Sequence, residues 1–232
     1  MKIYTDKCLL SCGLIGGTLS RHSGNMREIP NQIPIYKELG LNPQHILHFH
    51  QIHSDKIIRI SSPQSAQELS QKTVQDADAW LLSPFPAKWG AAIVTADCVP
   101  LFLWDETGSH AALAHCGWRG VVQGLPGKVA RELLKTAPDL HLSAWLGPHI
   151  QACSFEVQED VAKQFSADAL IHKNGKFFVD LNIEIKRQLA QAGMPEKNIK
   201  TPYYCTCTDK ENFFSWRRDH EKNLLLSFLY KP

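Results

Sequence analysis

The chain has 232 residues, of which 44% are hydrophobic and 21% are charged. This length and composition predict a globular fold with a buried core and exclude a disordered or collagen-like chain. The formal net charge is only +2, so we expect neither nucleic acid nor an anionic membrane as a partner. Seven cysteines and eleven histidines are the unusual counts. Because seven is odd and the chain is long for a disulfide scaffold, the counts indicate metal ligation or a reactive thiol.

The first apolar stretch covers residues 8–15 and follows Lys2 and Lys7. It is short for a secretory signal, Asp6 lies beside it, and no clear small-residue cleavage site follows. No run in the sequence approaches the roughly 20 apolar residues of a membrane helix. We therefore interpret the stretch as the first strand of the domain, and we expect a cytoplasmic protein with reduced thiols.

Strand-like and helix-like patterns alternate irregularly along the rest of the chain. Apolar runs with the length of strands cover residues 44–49, 89–95, 99–104, 111–115, 142–146, 176–179 and 224–230. Amphipathic helical patterns cover residues 126–136, 158–170 and 182–192, with Gly193 placed to end the last one. Polar residues 61–73 predict a loop with a short helix. The irregular order favours an α+β fold, with mixed β-sheets layered with helices in one compact domain over residues 1–232.

Reactive side chains stand at the ends of several apolar runs. His48, His50 and His53 lie within six residues, and in a strand His48 and His50 would share one face while His53 lies on the other. Asp97 and Cys98 follow the run 89–95. Burying a carboxylate there costs several kcal/mol unless it is paired or hydrogen-bonded, so this position predicts a functional site.

A second apolar run ends in His115 and Cys116 and leads into a Gly-flanked turn that contains Arg119. The glycines permit close backbone approach, and the guanidinium offers donors for phosphate or carboxylate. Near the C-terminal end, an aromatic cluster precedes Arg217 and Arg218. Such a cluster would suit stacking on a base beside an anionic group.

A thiolate and two neutral imidazoles are good ligands for Zn²⁺, and three protein ligands leave the fourth position that is typical of catalytic zinc. His53, Cys98 and His115 fit that set. From the spacing alone, His50 remains an alternative to His53, and Cys116 remains an alternative to Cys98.

Several segments also resemble, in order, one bacterial family. They are Gln51-Ile-His53, Asp76-Ala-Asp78-Ala79, Thr95-Ala-Asp97-Cys98-Val-Pro100, Ala114-His115-Cys-Gly117-Trp118-Arg119-Gly120, Gly147-Pro148 with Phe155-Glu156-Val157, and Cys205-Thr206 with Phe213-Phe214-Ser215-Trp-Arg217-Arg218-Asp219. The family is that of the multicopper polyphenol oxidase or laccase-domain proteins, whose members are described as purine nucleoside phosphorylases with adenosine deaminase activity. The resemblance implies one zinc ion per chain, held by His53, Cys98 and His115, with copper less favoured. Cys116 stands where the family usually has Ala, and Trp216 where it usually has Tyr.

The resemblance implies phosphorolysis of adenosine, inosine or S-methyl-5'-thioadenosine, so the expected partners are a small purine nucleoside and phosphate. Arg119, together with Arg21, Arg217 or Arg218, is then expected to hold the phosphate. Phe214 is expected to form the wall on which the purine stacks. The sequence does not predict an oligomeric state.

The resemblance also implies deamination of adenosine, in which zinc lowers the pKa of water to about 7. Asp97 would then orient a ligand or shuttle a proton. One alternative is an amidase that edits cell-wall peptidoglycan precursors, dependent either on zinc or on Cys98 as nucleophile with His115 as base. Copper polyphenol oxidase activity is less favoured, because it needs several His-x-His pairs and only His48 and His50 have that spacing.

Overall fold

The computed structural model describes residues 1–136 and 140–232. Within these ranges we number the strands β1 to β14 and the helices α1 to α8 in chain order. The strands are Ile3–Tyr4, Ile15–Leu19, Ile46–Leu47, Ile57–Ile60, Ala79–Leu82, Trp89–Thr95, Val99–Asp105, Ala111–Cys116, Leu142–Leu146, Glu156–Val157, Leu170–Lys173, Lys176–Val179, Ile199–Lys200 and Leu225–Lys231. The helices are Lys7–Ser11, Ile29–Glu38, Pro63–Ser70, Trp118–Val122, Leu125–Thr136, Glu159–Ala162, Leu181–Gln191 and Trp216–Asp219.

The strands form three sheets, and the two larger ones are mixed. The five-stranded sheet has the order β1-β2-β14-β6-β3, in which only the β3–β6 pair is parallel. The six-stranded sheet has the order β13-β9-β7-β8-β5-β4, with parallel pairs at both edges and antiparallel pairs between them. Strands β10, β12 and β11 form a small antiparallel sheet. This mixture of sheets and helices confirms the α+β prediction.

Successive side chains of a strand point to opposite faces of its sheet, so neighbouring residues belong to different hydrophobic layers. Leu101 of β7 belongs to a buried cluster that includes residues of α5 and α7. The next residue, Phe102, belongs to a second cluster, which Leu229 of β14 shares. Phe228 of β14 belongs to a third cluster together with Tyr36 of α2. The layers therefore run from α5 and α7, through the six-stranded and five-stranded sheets, to α2.

Most of the predicted elements are confirmed, with ends shifted by a residue or not at all. The runs 89–95, 142–146 and 176–179 are strands with those bounds, and the other three confirmed runs form β7, β8 and β14. The patterns 126–136 and 182–192 are α5 and α7, and Gly193 has a φ of 99° just beyond the C-cap of α7. Residues 61–73 hold the short helix α3, which begins with a capping box.

The predicted helix over residues 158–170 is wrong. Helix α6 covers only Glu159–Ala162, and a 3₁₀ turn at Ala167–Ala169 leads directly into β11. Strands β11 and β12 form a hairpin across Asn174 and Gly175, whose φ values are 52° and 71°. Asn-Gly with two positive φ angles is the preferred two-residue hairpin turn, and the hairpin takes Leu170 out of the helical pattern.

Two predictions near the N-terminus are also wrong. Residues 8–15 were predicted as a strand, but Asp6 accepts a hydrogen bond from the Cys8 amide and starts helix α1, so the first long strand begins only at Ile15. In the run 44–49, the Asn42 side chain accepts from the Gln44 amide and starts a 3₁₀ turn, which leaves only β3 as strand. The predicted division of three histidines between the faces of one strand therefore does not occur.

No helix of the described ranges is long and apolar enough to cross a membrane. The extent of the domain over residues 1–232 stays a prediction.

Candidate metal centre and substrate cleft

Three of the predicted ligands converge at one end of the sheets. Cys98 lies in the turn between β6 and β7, His115 lies near the end of β8, and His53 lies in the loop before β4. The ligand atoms of these side chains all lie within 4.8 Å of one another. The His53 Nε2 atom is 3.8 Å from the Cys98 Sγ atom, and the two imidazole rings meet edge to face with centroids 4.7 Å apart.

The alternative ligands that the spacing left open lie elsewhere. The His50 side chain points to solvent, where its Nδ1 atom is 2.9 Å from the Asp76 carboxylate. The Cys116 side chain is fully buried in the apolar cluster beneath α5. Burial there raises the pKa of the Cys116 thiol well above its ordinary value. A neutral thiol in an apolar core is a poor ligand, because metals bind the thiolate.

Gly117 leaves the space in which the ligands meet. A Cβ atom at this position would lie 2.6 Å from His53 Cδ2 and 3.3 Å from Cys98 Sγ. The φ angle of Gly117 is −67°, so the backbone itself would accept any residue. Residue 117 must therefore be a glycine because His53 and Cys98 lie so close to it, and not because its backbone conformation demands one.

The carboxylate of Asp78 organises two of the ligands. It is fully buried and accepts hydrogen bonds from His115 Nδ1 at 2.9 Å, from the backbone amides of His53 and Ser54 at 3.0 and 2.6 Å, and from the Ser54 hydroxyl at 2.7 Å. Because His115 donates through Nδ1, its Nε2 lone pair is left for a metal. The same carboxylate thus selects the tautomer of one ligand and fixes the backbone of the other.

The backbone of His53 must be held by its surroundings, because its φ angle is 59°. A non-glycine residue in the left-handed region carries strain, which persists only where the surroundings hold it. Asp97, directly before the cysteine ligand, is also in this region, with a φ of 84°. Strained residues in two different loops thus flank one small site.

The charges at the centre favour a thiolate. Burial alone would raise the pKa of Cys98, but the charge and hydrogen bonds of His115 and His53 outweigh it and lower the pKa to about 6. Burial would lower the pKa of His115, but Cys98 and Asp78 outweigh that effect and raise the pKa to about 9, so without a metal His115 is protonated beside the thiolate. A metal that binds here displaces the proton from Nε2, and the proton on Nδ1 stays with Asp78. The thiolate is the form of cysteine that binds a metal.

One thiolate and two imidazoles within bonding reach of a common point make a donor set that zinc prefers. A Cβ at residue 117 would crowd two of these side chains, His53 and Cys98, so the space beside them depends on the glycine. His53, Cys98 and His115 therefore fit a single metal ion with one position left for water or substrate.

The metal-binding group opens into a cleft of about 870 Å³. Its lining includes His53, Cys98 and His115, and it includes Arg119 and Arg217 among its charged residues. A cleft of this size accommodates a ligand as large as a nucleoside.

The two arginines of the cleft differ in how they are held. Arg119 is exposed, its guanidinium lies 4.5 Å from the centroid of the Trp118 ring, and it makes no ion pair within the described ranges. Arg217 donates from Nη1 to the carbonyl oxygens of Ser154 and Glu156, at 3.3 and 2.8 Å. Both therefore present cationic groups to the cleft, and Arg119 is the one not yet committed to a partner.

The remaining predicted substrate residues lie outside this lining. Arg21 donates to the Lys210 carbonyl at 2.6 Å, and its guanidinium covers the Phe214 ring at 4.9 Å. Phe214 is only 8% exposed. Arg218 pairs with Asp219 and donates to the carbonyl oxygens of Thr206, Cys207 and Phe213. In this structure these side chains hold backbone segments together.

Asp97 connects the metal-binding group to the far wall of the cleft. Its Oδ1 atom accepts from the Thr206 hydroxyl at 2.6 Å, and its Oδ2 atom accepts from the Arg217 amide at 2.7 Å. Its own carbonyl accepts from the Ile150 amide. Since both carboxylate oxygens are engaged, the side chain ties the segments around residues 206 and 217 to the loop that carries Cys98.

Sequence reasoning missed the roles of Asp78 and Gly117. Asp78 carried a signal, because an acid directly before the apolar residues Ala79–Leu82 must be paired when that strand is buried. Gly117 carried a weaker one, since the turn glycines were interpreted as a place for close ligand approach. Only the fold shows that two loops and the end of β8 bring His53, Cys98 and His115 together beside these two residues.

The chain resembles several known proteins. The model of the family described as "Multi-copper polyphenol oxidoreductase laccase" matches residues 20–224. A protein of Xylella fastidiosa (strain 9a5c) named "Purine nucleoside phosphorylase" is 33% identical over 176 residues, which cover 73% of this chain and 65% of that protein, just under two thirds of its length. A protein of an unknown prokaryotic organism named "Adenosine deaminase RL5" is 26% identical over 204 residues, or 83% of this chain and 77% of that protein.

The fold has solved counterparts as well. The crystal structure of YlmD from Geobacillus stearothermophilus matches with a TM-score of 0.83 at 21% sequence identity, and the match covers 95% of this chain and 93% of that one. At this identity the likeness concerns the fold alone. The family model, in contrast, covers most of the chain and includes all three residues of the candidate metal centre. The chain therefore belongs to the multi-copper polyphenol oxidoreductase laccase family.

Proposed function

We propose that the chain is a zinc-dependent purine nucleoside phosphorylase that also deaminates adenosine. The observation that carries the proposal is the grouping of His53, Cys98 and His115 within 4.8 Å of one another at one cleft. The names of the Xylella relative and of the RL5 relative support the two activities. Because a thiolate ligand must stay reduced, we also propose that the protein works in the cytoplasm.

Three residues of the centre would bind the metal ion, and a fourth, Asp78, would orient two of them. His53, Cys98 and His115 would hold the zinc ion, which when bound supplies a Lewis acid that polarises a substrate oxygen or acidifies water. Asp78 keeps the proton of His115 on Nδ1, and it holds the His53 backbone in its strained conformation. The ligands are thus preorganised by the protein before any substrate binds.

Phosphate would bind opposite the metal-binding group through Arg119 and Arg217. The guanidinium of Arg119 has its donors free within the described ranges, and Arg217 uses only Nη1 for the carbonyls of Ser154 and Glu156. Two guanidinium groups can bind a phosphate dianion through charge-assisted hydrogen bonds and place it for attack on the anomeric carbon of the sugar. The base then leaves and a ribose 1-phosphate forms.

Two other functions compete with this proposal. A cysteine-dependent amidase would use Cys98 as nucleophile and His115 as base, and the lowered pKa of Cys98 is compatible with it. A polyphenol oxidase would need several copper sites. In residues 1–136 and 140–232, one group of three or more His, Cys, Asp or Glu side chains is close enough to hold a metal. We therefore favour the nucleoside enzyme over the oxidase.

The test combines metal analysis with an adenosine assay, with and without phosphate, on the wild type and on Cys98→Ala. We expect about one zinc per wild-type chain, adenine released only with phosphate, and inosine formed without it. We expect Cys98→Ala to lose the metal and both activities. Chelation of the wild type should abolish both activities, and added Zn²⁺ should restore them.

Three results would contradict the proposal in different ways. Full activity in chelator would point to the cysteine nucleophile. Four copper ions per chain would revive the oxidase. Absence of both products together with zinc retained by Cys98→Ala would remove the proposed centre itself.

A further inference from the structure

The cleft has one aromatic ring, that of Trp216, on which no side chain of the described residues stacks face to face. Its lining includes four Phe or Trp residues. Three of them stack against a neighbour, Phe49 on Trp80 at 4.8 Å, Trp118 with Arg119 at 4.5 Å and Phe155 with Arg217 at 5.7 Å. Trp216 is the fourth. Within the described residues its aromatic contact is with His220, edge to face at 6.0 Å and 87°.

Trp216 is also far more accessible than the residue that the sequence suggested. It is 50% exposed, whereas Phe214 is 8% exposed and carries the Arg21 guanidinium on its ring. Covering a large apolar side chain that is open to water at the wall of a cleft with a flat ligand stabilises the complex. Its indole is bicyclic, and the indole face therefore suits a bicyclic ring better than a monocyclic one.

The backbone of Trp216 is held firmly. Ser215 caps helix α8, because its hydroxyl accepts from the Arg218 amide at 3.2 Å. The Arg217 amide donates to the Asp97 carboxylate at 2.7 Å. Asp97 directly precedes Cys98 in the chain, so one hydrogen bond and two peptide links connect the metal-binding thiolate to the indole. The backbone that carries the indole is therefore tied to the loop that carries Cys98.

We propose that the exposed face of Trp216 is the platform on which the purine base stacks, and that this residue determines the preference for purines over smaller bases. The inference rests on the proposed function for the identity of the substrate. Stacking of a base on an aromatic side chain is tolerant of substituents, so the same platform would serve adenine and hypoxanthine rings. Trp216 would thus act on the binding of the nucleoside and not on that of phosphate.

The test compares Trp216→Leu, which removes the ring, with Trp216→Tyr, which keeps a smaller one. Tyr203→Leu is the matched control, since Tyr203 is an aromatic residue 73% exposed outside the cleft. Each zinc-loaded protein is assayed for adenosine phosphorolysis, with KM measured for both substrates. Each is also titrated calorimetrically with adenine, which carries the stacking ring and cannot be phosphorolysed.

We expect Trp216→Leu to raise the KM for adenosine and the Kd for adenine about tenfold, and to leave the KM for phosphate within about twofold. Trp216→Tyr should recover most of this loss, and Tyr203→Leu should match the wild type. Unchanged adenine binding in Trp216→Leu would overturn the inference while the proposed function stands. If the wild type binds adenine through Trp216 but converts no nucleoside, the proposed reaction is wrong and the platform remains. A wild type that binds no adenine overturns the inference.

Discussion

The carboxylate of Asp78 accepts a 2.9 Å hydrogen bond from Nδ1 of His115 while both side chains are almost completely buried. Burial would raise the pKa of Asp78, but hydrogen bonds from His115 and Ser54 outweigh it and lower the pKa. The acid is therefore ionised at neutral pH and can hold the histidine in one tautomer. This pair thus preorganises His115, one of the three residues that could hold a metal.

We expect Asp78→Asn to weaken zinc binding by about 10- to 100-fold, because the amide neither fixes the tautomer of His115 nor accepts all four hydrogen bonds. Zinc affinity can be measured by competition with a chromophoric chelator. Asp76→Asn is the control, since Asp76 holds the exposed His50 in a similar contact. Equal zinc affinity in both variants would show that Asp78 does not support the ligands.

Gly117→Ala should disrupt the same site by steric means. The added methyl would lie 2.6 Å from the His53 ring, which must shift, and we expect a destabilisation of about 1–3 kcal/mol together with loss of zinc. Zinc content by mass spectrometry and the free energy of unfolding in urea report the two effects. Gly117 is the N-cap of helix α4, and the exposed Gln123 is its C-cap. Gln123→Ala should therefore change neither the zinc content nor the free energy of unfolding. Full zinc content in Gly117→Ala would mean that the cradle is wider than its geometry indicates.

Arg119→Ala should raise the KM for phosphate about tenfold and leave the KM for adenosine nearly unchanged, because its uncommitted guanidinium is assigned to the anion. Arg119→Lys should recover only part of the loss, since an ammonium group cannot bind phosphate in a bidentate manner. Initial rates over a matrix of both substrates separate the two constants. A rise in the KM for adenosine alone would move Arg119 to the nucleoside side of the cleft.

Glu184 predicts how stability depends on pH. Burial would raise its pKa, but hydrogen bonds from Arg187, Gln188 and Ser166 outweigh it and lower the pKa to about 2. Because the folded-state pKa lies below the unfolded value of about 4.3, the ionised carboxylate stabilises the folded protein above that value. This contribution, at most about 3 kcal/mol, is lost as the pH falls from about 5 towards 2.

Urea unfolding between pH 3 and pH 7 tests this expectation. Glu184→Gln should be less stable than the wild type at pH 7, and the difference should shrink as the pH falls. Glu159→Gln is the matched control, because Glu159 makes an exposed pair with Lys163 that contributes little. A difference that stays constant with pH would assign the effect of Glu184 to packing and not to charge.

The sequence could point to Cys98 and His115 because each lies at or just beyond the end of an apolar strand, where a reactive side chain must be paired. His53 lies in the loop before β4, and its choice over His50 came from the family resemblance. That the three residues hold a metal stays a proposal. The substrate wall could not be predicted in the same way. Phe214 and Trp216 are two residues apart in the same aromatic segment, and only tertiary packing decides that the first is covered by Arg21 and the second faces the cleft.

Some secondary-structure elements could likewise be predicted from the sequence and others could not. Long apolar strands such as Trp89–Thr95 were predicted with their bounds, because burial on both faces leaves a continuous signal. The prediction of a helix over residues 158–170 was wrong because the end of this segment leads into the β11–β12 hairpin, although its apolar residues have helical spacing. The Asn174-Gly175 pair that forms the hairpin turn was present in the sequence and outweighs periodicity at that point.

The order of strands in the five-stranded sheet has a consequence for how the protein is made. Strand β14 pairs with β2 on one side and β6 on the other, although it is synthesised long after both. During synthesis β6 leaves the ribosome long before β14, the strand that connects it to β2. The five-stranded sheet therefore cannot form until this pairing between distant parts of the chain is possible. Asp97, the residue before Cys98, is held by Thr206 and by the Arg217 amide, which are also among the last residues to be synthesised. The five-stranded sheet and the support of the loop that carries Cys98 should therefore be completed only after the last residues of the chain have left the ribosome.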